Sequence, residues 1–345
     1  MRRTSWAVLL VICAAAVVTI AAAPAPQGSG YHLLKKVTLG GEGGWDYLSA
    51  DPVSHRAFLS RGTHIMVVDA DGNVVGDIPN VQGTHGAQLV NEFNRGFSSN
   101  GRTNSVTIFD LKTLAVINEV KLPMADGPDG FAYDPASKNV FVFNARSHDG
   151  TGVNAKTGEV AGTVPLAGKP EAAAADGVGH MFVNIEDKAE LQEFDSKEFK
   201  VMNTWPLATC EEPTGMAIDT AHKRIFIGCH SKVMLVADYS GKVVASVPIG
   251  QGVDAANFDP ATQYAFASCG DGTITVTHED SPDKYTVVET LSTQRGARTM
   301  TLDTSNHRVF TITSDFGPPP AATPDNPNPR PVSVPGTFTL LIYGR

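Results

Sequence analysis

Short segments in which apolar and polar residues alternate recur along almost the whole chain. Examples are RAFLS, NVFVFN, HMFVN, RIFIGC, YAFASC and RVFTIT. Each follows a turn-forming cluster and is rich in branched or aromatic side chains, a combination that is typical of half-buried β-strands. The pattern predicts an all-β fold.

A polar anchor residue recurs once in every block of strands. The anchors are Asp51, Asn91, Asp134, Asp176, Asp219, Asp259 and Asp303, and successive anchors are 40 to 44 residues apart. An Asp in such a turn accepts hydrogen bonds from backbone amides two residues on. The period is that of a propeller blade, a four-stranded unit that buries its faces only against its neighbours. Seven anchors therefore predict a seven-bladed β-propeller.

The last repeat is one strand short of four, because only TFTLLIYGR follows its long proline-rich segment. The missing strand is expected at the other end of the chain, where HLLKKVTL, residues 32–39, matches the pattern of a fourth strand. Pairing of these two segments closes the ring and leaves no open sheet edge. We predict one propeller domain over residues 31–345, with a stiff proline-rich loop inserted at residues 314–336.

The first strand of several repeats has one bulky and one small face. The bulky positions are Phe131 and Tyr133, Met216 and Ile218, and Met300 and Leu302, and the small positions are Gly130 and Ala132, Gly215 and Ala217, and Thr299 and Thr301. Successive blades are therefore expected to interlock a bulky face with a shallow one near the axis.

These repeats resemble those of the YVTN-repeat β-propellers of the YncE-like kind. The resemblance is carried by inner strands such as EPTGMAID and GVDAANFDP and by outer segments of the form V-x-D-x-x-x-G-K-V-V, and it covers nearly all of residues 31–345. The literal tetrad Tyr-Val-Thr-Asn is absent from the chain, and NVFVFN and HMFVN are its nearest forms. The resemblance implies an exported propeller and assigns no chemistry, although DNA binding has been proposed for one relative.

The N-terminus has the three parts of a secretory signal peptide. MRR is followed by the apolar run WAVLLVICAAAVVTIAAA and then by the small residues and prolines of APAPQGSG. We predict a signal peptide over residues 1–23, cleaved between 21 and 30, and a periplasmic or secreted protein. A membrane anchor is the alternative, since about 18 apolar residues just span a bilayer, but the alanines and the following prolines favour cleavage and no stable anchor.

Three cysteines remain after removal of this segment, Cys210, Cys229 and Cys269, so at most one intramolecular disulfide can form. Antiparallel pairing about the turn at residues 219–224 brings residue 229 opposite residue 214. We therefore favour a Cys210–Cys229 bridge, with three buried, reduced thiols as the alternative.

Charged residues stand at equivalent places before the innermost strands. The positions five residues before the anchors are Asp46, Gly86, Asp129, Glu171, Thr214, Asp254 and Arg298, and His85 lies one place earlier in its repeat. In a propeller these positions surround the mouth of the axial channel, the default ligand site. We predict a ligand-binding site formed by Asp46, His85, Asp129, Glu171, Asp254 and Arg298, with the catalytic residues, if any, unassigned.

The same acids and histidine are candidate ligands for a divalent metal ion. Asp46, His85, Asp129, Glu171 and Asp254 offer the oxygen ligands that calcium takes and the mixed nitrogen and oxygen ligands that suit zinc or manganese. No recognised metal-ligand spacing accompanies them. The alternative is that the acids cap turns and remain hydrated, while Arg298 pairs with Asp254 or Asp46.

The leading function is a binding or scaffold protein, expected to be monomeric, that presents its acidic mouth face to a small molecule or a protein. No GxSxG elbow, phosphate loop, CxxCH haem site or zinc signature occurs. A net charge of −9 disfavours nucleic acid as a partner. The alternative is a metal-dependent, lactonase-like hydrolase or lyase with its site at the channel mouth, an interpretation that rests on fold analogy.

Overall fold

A computed structural model describes residues 28–122, 124–323, 327 and 329–345. The predicted signal peptide, residues 1–23, lies outside the described residues. Among the residues that are described, no helix has the length and apolar character needed to cross a membrane.

The described chain folds into seven four-stranded antiparallel sheets. Blade 1 contains β2 (Leu48–Asp51), β3 (Arg56–Ser60), β4 (Ile65–Val68) and β5 (Val74–Ile78). Blade 2 contains β6 (Thr84–Val90), β7 (Arg95–Asn100), β8 (Ser105–Asp110) and β9 (Val116–Lys121). Blade 3 contains β10 (Pro128–Asp134), β11 (Asn139–Asn144), β12 (Asp149–Asn154) and β13 (Val160–Pro165). Blade 4 contains β14 (Pro170–Ala175), β15 (His180–Ile185), β16 (Glu190–Asp195) and β17 (Lys200–Pro206).

The remaining blades repeat the same order. Blade 5 contains β18 (Pro213–Asp219), β19 (Arg224–Cys229), β20 (Val233–Asp238) and β21 (Val243–Pro248). Blade 6 contains β22 (Val253–Asp259), β23 (Tyr264–Cys269), β24 (Thr273–Ser281) and β25 (Lys284–Ser292). Blade 7 contains β26 (Met300–Asp303), β27 (Arg308–Thr313), β28 (Thr339–Gly344) and, as its outermost strand, β1 (His32–Thr38). Two short 3₁₀ helices, Asn91–Phe93 and Glu186–Lys188, complete the described elements.

The predicted closure of the ring is confirmed. β1 pairs antiparallel with β28, from His32 opposite Gly344 to Thr38 opposite Thr339. The innermost strand of every blade also contacts the innermost strands of the two neighbouring blades, including β2 with β26. The first and last strands of the described chain therefore share one sheet, and the seven blades form a closed β-propeller.

The anchor aspartates make the turns expected from the sequence. In each of six blades an anchor carboxylate accepts a hydrogen bond from the backbone N–H two residues on, at 2.8 to 3.2 Å; the six are Asp51, Asp134, Asp176, Asp219, Asp259 and Asp303. Two anchors also bind a histidine of the next blade: His307 lies 2.7 Å from Asp259, and His55 lies 3.0 Å from Asp303. These contacts join the blades at the face opposite the channel mouth.

Small residues allow the innermost strands to approach closely. A Cβ atom added at Gly215 would lie 2.9 Å from the backbone carbon of Ala255 and 2.9 Å from the backbone nitrogen of Ala256 in the next blade. Both are backbone atoms of a buried strand, so they cannot rotate out of the way. The shallow face predicted at Gly215 is therefore a site of contact between the backbones of two blades.

Replacing Gly215 by alanine is expected to lower the free energy of unfolding by about 1–3 kcal/mol, the usual cost of overpacking. Gly44→Ala is the matched control, because an added Cβ at Gly44 meets no atom within 4 Å. Urea unfolding followed by circular dichroism measures both. Equal stability of the two variants would contradict the close packing of blades 5 and 6.

The structure joins Cys210 and Cys229 in a disulfide, the pairing that the sequence favours. The bridge links the loop before β18 to the end of β19 within blade 5, with a Cα–Cα distance of 5.2 Å. Cys269 is free and buried, and burial raises the pKa of its thiol to about 12. A thiol in that state is a poor nucleophile at neutral pH.

The proline-rich insertion between β27 and β28 is tied to the mouth of the propeller at both of its ends. Phe316 forms an isolated β-bridge with Ser333, and the Val334 N–H donates to the Asp315 carbonyl at 2.8 Å. The Phe316 ring lies 6.0 Å from the Trp45 ring of blade 1. The described part of the insertion thus covers one side of the mouth.

Candidate functional site

Four of the predicted site residues occupy the same place in four different blades. His85, Asp129, Glu171 and Asp254 are each the second residue of an innermost strand. At that residue the pairing with the second strand of the blade shifts register. A shift of this kind turns a side chain out of the regular alternation, and here it brings the four side chains to the channel mouth.

Asp46 is held just before the first strand of its blade by contacts to three blades. Its backbone N–H donates to Ser60 Oγ at 2.9 Å, and its carbonyl accepts from Thr299 Oγ1 at 2.8 Å. The next residue, Tyr47, donates its N–H to the His85 carbonyl at 2.8 Å. The position of Asp46 is therefore set by the closure of the ring.

Three of the predicted residues form a compact triad. His85 Nδ1 lies 2.7 Å from Asp46 Oδ2 and 3.2 Å from Asp129 Oδ1. One ligand atom from each residue lies within 4.8 Å of the other two. One imidazole nitrogen and two carboxylates match the donor set that zinc and manganese accept. A bound ion would replace the bonds that His85 now makes to the two acids.

Arg298 links the triad to a fourth acid. Its Nε donates to Asp254 Oδ2 at 2.5 Å, and its Nη2 lies 3.5 Å from Asp46 Oδ1. The alternative in which Arg298 pairs with Asp254 or Asp46 is therefore what the structure contains, with both acids engaged. The triad of Asp46, His85 and Asp129 forms alongside this pairing, because Asp46 uses Oδ2 for His85 and Oδ1 for Arg298.

Glu171 forms a second group with two residues that were not predicted from the sequence. Tyr47 Oη donates to Glu171 Oε1 at 2.9 Å, and Lys169 Nζ lies 3.5 Å from Glu171 Oε2. Lys169 also binds Glu186. Each missed residue is next to, or two places from, a predicted one, so proximity in sequence was the available signal. Glu171 is 9% exposed, and its Oε2 makes no hydrogen bond in the described structure.

Burial makes these acids unusually weak. It raises the pKa of Asp129 to about 6, with Asp46 adding to the effect, and the pKa of Glu171 to about 8, with Asp129 adding to it. Burial likewise raises the pKa of Asp254. For His85, burial opposes protonation, but the hydrogen bond to Asp46 and the charge of Asp129 outweigh it and raise the pKa. The cluster holds more negative charge than its surroundings stabilise, which favours a cation.

A cavity of about 400 Å³ opens beside the triad. Its lining includes Asp46, His85 and Asp129, together with Trp45, Arg102 and Arg146. Five glycines from successive blades also line it, namely Gly44, Gly62, Gly83, Gly101 and Gly127. The ligand atoms of the triad therefore face a space large enough for a small molecule, with much of the wall formed by backbone.

A second group of potential metal ligands lies away from the mouth. His222 Nδ1 is 2.7 Å from Asp219 Oδ2 and 3.3 Å from Glu279 Oε1. Asp219 is an anchor residue, so this group lies at the opposite face and between blades 5 and 6. It provides an internal control for metal binding at the mouth.

No protein-family model and no curated protein matches the chain. Among solved structures, a chain in a crystal structure of the mitotic checkpoint complex matches with a TM-score of 0.73 at 11% identity, covering 98% of this chain and 99% of that one. Hydrazine synthase of Kuenenia stuttgartiensis matches with a TM-score of 0.68 at 13% identity, covering 84% and 96%. This chain is a seven-bladed β-propeller. Identities this low show the fold of the propeller and nothing of its activity.

Proposed function

We propose that this protein is an exported, YVTN-type binding propeller whose channel mouth holds a small ligand through a divalent cation, calcium, zinc or manganese. Asp46, His85 and Asp129 are the proposed ligands of the cation. The observation that carries the proposal is the convergence of their three ligand atoms within 4.8 Å beside an open cavity.

The charge of the mouth supports a cation at this place. Four carboxyl groups, those of Asp46, Asp129, Glu171 and Asp254, meet at the mouth, and the Arg and Lys side chains that form ion pairs with them in the described structure are Arg298 and Lys169. A divalent ion stabilises the charged forms of Asp129, Glu171 and Asp254, whose pKa values burial raises. Metal binding is therefore expected to release protons and to strengthen as pH rises.

The test is calorimetric titration of the chelator-treated protein with calcium, zinc and manganese. We expect stoichiometric binding of at least one ion, weakened about 10- to 100-fold in His85→Ala because a ligand is removed. His222→Ala removes the histidine of the second cluster and is the matched control, expected to retain the affinity of the mouth site. Equal affinity of His85→Ala and the unchanged protein for every ion would contradict the proposal.

A metal-dependent hydrolase or lyase is the second candidate function. It is favoured by one observation, the buried carboxyl of Glu171, whose raised pKa of about 8 leaves it protonated at neutral pH. Such a group can act as a general acid near a bound ion. Turnover of a simple lactone by the metal-loaded protein, followed by pH-stat titration, distinguishes this function from binding alone.

A further inference from the structure

A second cavity, of about 320 Å³, lies at the mouth between blade 7 and the proline-rich insertion. Three arginines line it, Arg295 and Arg298 from the loop before β26 and Arg330 from the insertion. No Asp or Glu is among the described residues that line it. This arginine cavity is therefore positively charged, beside a triad that is negatively charged.

Two of the three guanidinium groups have no partner among the residues that the structure describes. Arg298 binds Asp254 and Asp46. Within the described part of the chain, the side chains of Arg295 and Arg330 have no hydrogen-bond or ion-pair partner, and both residues are exposed. Cations gathered around a cavity repel one another, and an anion placed between them relieves that repulsion. The arrangement favours an anionic ligand.

The insertion is what brings Arg330 to the cavity. Its two ends pair through the bridge between Phe316 and Ser333 and through the bond from Gly317 N–H to the Val332 carbonyl at 2.9 Å. Gln294 Nε2, next to Arg295, donates to Asp315 Oδ1 at 2.9 Å and fixes the insertion to blade 7. The cavity wall thus depends on a segment that the regular blade does not contain.

The same wall is partly aromatic. Trp45 and Phe316, whose ring centroids are 6.0 Å apart, both line the cavity. Gly296 leaves room for the Phe316 ring, since an added Cβ would lie 2.5 Å from it. A ligand in this cavity would meet both guanidinium groups and aromatic rings.

We propose that the arginine cavity binds a small organic anion, a carboxylate or a phosphate monoester, with its charged group on Arg295 and Arg330 and its apolar part against Trp45 and Phe316. The guanidinium fork donates paired hydrogen bonds to either group. The inference rests on the proposed function in one respect, the use of the mouth face for a small ligand, and it adds the charge of that ligand.

The experiment is calorimetric titration of the protein with benzoate, phenyl phosphate, inorganic phosphate and neutral benzamide. We expect saturable binding of benzoate or phenyl phosphate, weaker binding of inorganic phosphate, and none of benzamide. Arg295→Gln and Arg330→Gln are each expected to weaken binding about tenfold, the usual effect of losing a hydrogen bond to a charged group. Arg95→Gln is the matched control, since Arg95 begins β7 at the anchor end of blade 2 and lines neither cavity.

Absence of saturable binding for all the anions, or affinities unchanged in both arginine variants, would overturn the inference. Benzoate and phenyl phosphate separate the two kinds of anion. Thermal melting of each variant checks folding. Arg330 is exposed and lies outside the described strands, so its substitution is expected to leave the blades intact. His85→Ala should weaken metal binding more than it weakens anion binding, and Arg330→Gln should weaken anion binding more than metal binding, so the cation and anion sites can fail separately.

Discussion

Replacing Tyr31 by alanine is expected to lower the free energy of unfolding by about 3–5 kcal/mol, the range for truncation of a buried aromatic side chain. Tyr31 directly precedes the closing strand β1 and is 3% exposed. Its ring lies 5.1 Å from the ring of Phe266 in blade 6, and the guanidinium of Arg345 lies over it at 5.3 Å. The residue therefore joins both ends of the described chain to the neighbouring blade.

Two control variants show whether a loss of stability comes from removal of the Tyr31 ring or from any substitution at this place in the chain. Tyr31→Phe should leave stability unchanged or slightly higher, because the buried Tyr31 hydroxyl has no hydrogen-bond partner in the described structure. His32→Ala alters an exposed side chain one residue away and should change stability by less than about 0.5 kcal/mol. Guanidinium unfolding measures all three. A loss below about 1 kcal/mol for Tyr31→Ala would mean that the contact contributes little to closing the ring.

The number of blades and their closure could be predicted because both depend on features local to each repeat. The anchor turns are made by a carboxylate and the backbone two residues on, so their spacing measures the length of a blade directly. The closing strand was predictable for a related reason, since blade 7 lacks one strand and an unpaired edge would remain exposed. Tyr31 could not be predicted as a core residue, because its aromatic partners, Tyr264 and Phe266, lie in another blade.

The site could be predicted only as far as it follows from the repeat. Counting back from the anchors placed Asp46, Asp129 and Asp254 at one face. The structure brings Asp46 and Asp129 together with His85, and Arg298 links Asp254 to Asp46. The register shifts that direct these side chains to the mouth leave no mark in the residue pattern. Tyr47 was missed because it reaches Glu171 from another blade, and Lys169 because it lies before β14, outside the positions that the repeat makes equivalent.

The convergence of Arg295 and Arg330 could not be predicted from the repeat either. The two residues are separated by β26, β27 and most of the insertion, and the repeat gives no rule for a segment that interrupts it. Composition predicted a stiff, extended loop there. Where such a loop lies depends on a few contacts, here those of Phe316 with Trp45 and of Asp315 with Gln294.

Glu171→Gln is expected to raise stability at pH 9 by an amount on the order of 3–5 kcal/mol and to change it little at pH 4. Burial raises the pKa of Glu171 from 4.5 to about 8 in the folded protein. Below the unfolded value the group is protonated in both states, so it has no effect on stability. Between the two values only the unfolded chain loses the proton, and the folded state becomes progressively less stable as pH rises.

The Glu171→Gln substitution keeps the shape of the side chain and removes only the ionisation. The carbonyl oxygen of the new amide can still accept from Tyr47 Oη, and Lys169 retains Glu186 as a partner. Glu198→Gln, at an exposed position, is the control and should show no such pH dependence. The measurement is thermal melting from pH 4 to pH 9 in the presence of a chelator. A constant difference between Glu171→Gln and the unchanged protein would contradict the assigned titration.

Adding a divalent ion tests whether the ionisation of Glu171 depends on the charge bound at the proposed metal site. A cation at Asp46, His85 and Asp129 lowers the pKa of nearby acids, because it stabilises their charged forms. The loss of stability that the unchanged protein shows toward pH 9 should then shrink, and the advantage of Glu171→Gln should shrink with it. If the ion binds but the advantage persists in full, Glu171 titrates independently of the triad, and its raised pKa reflects burial alone.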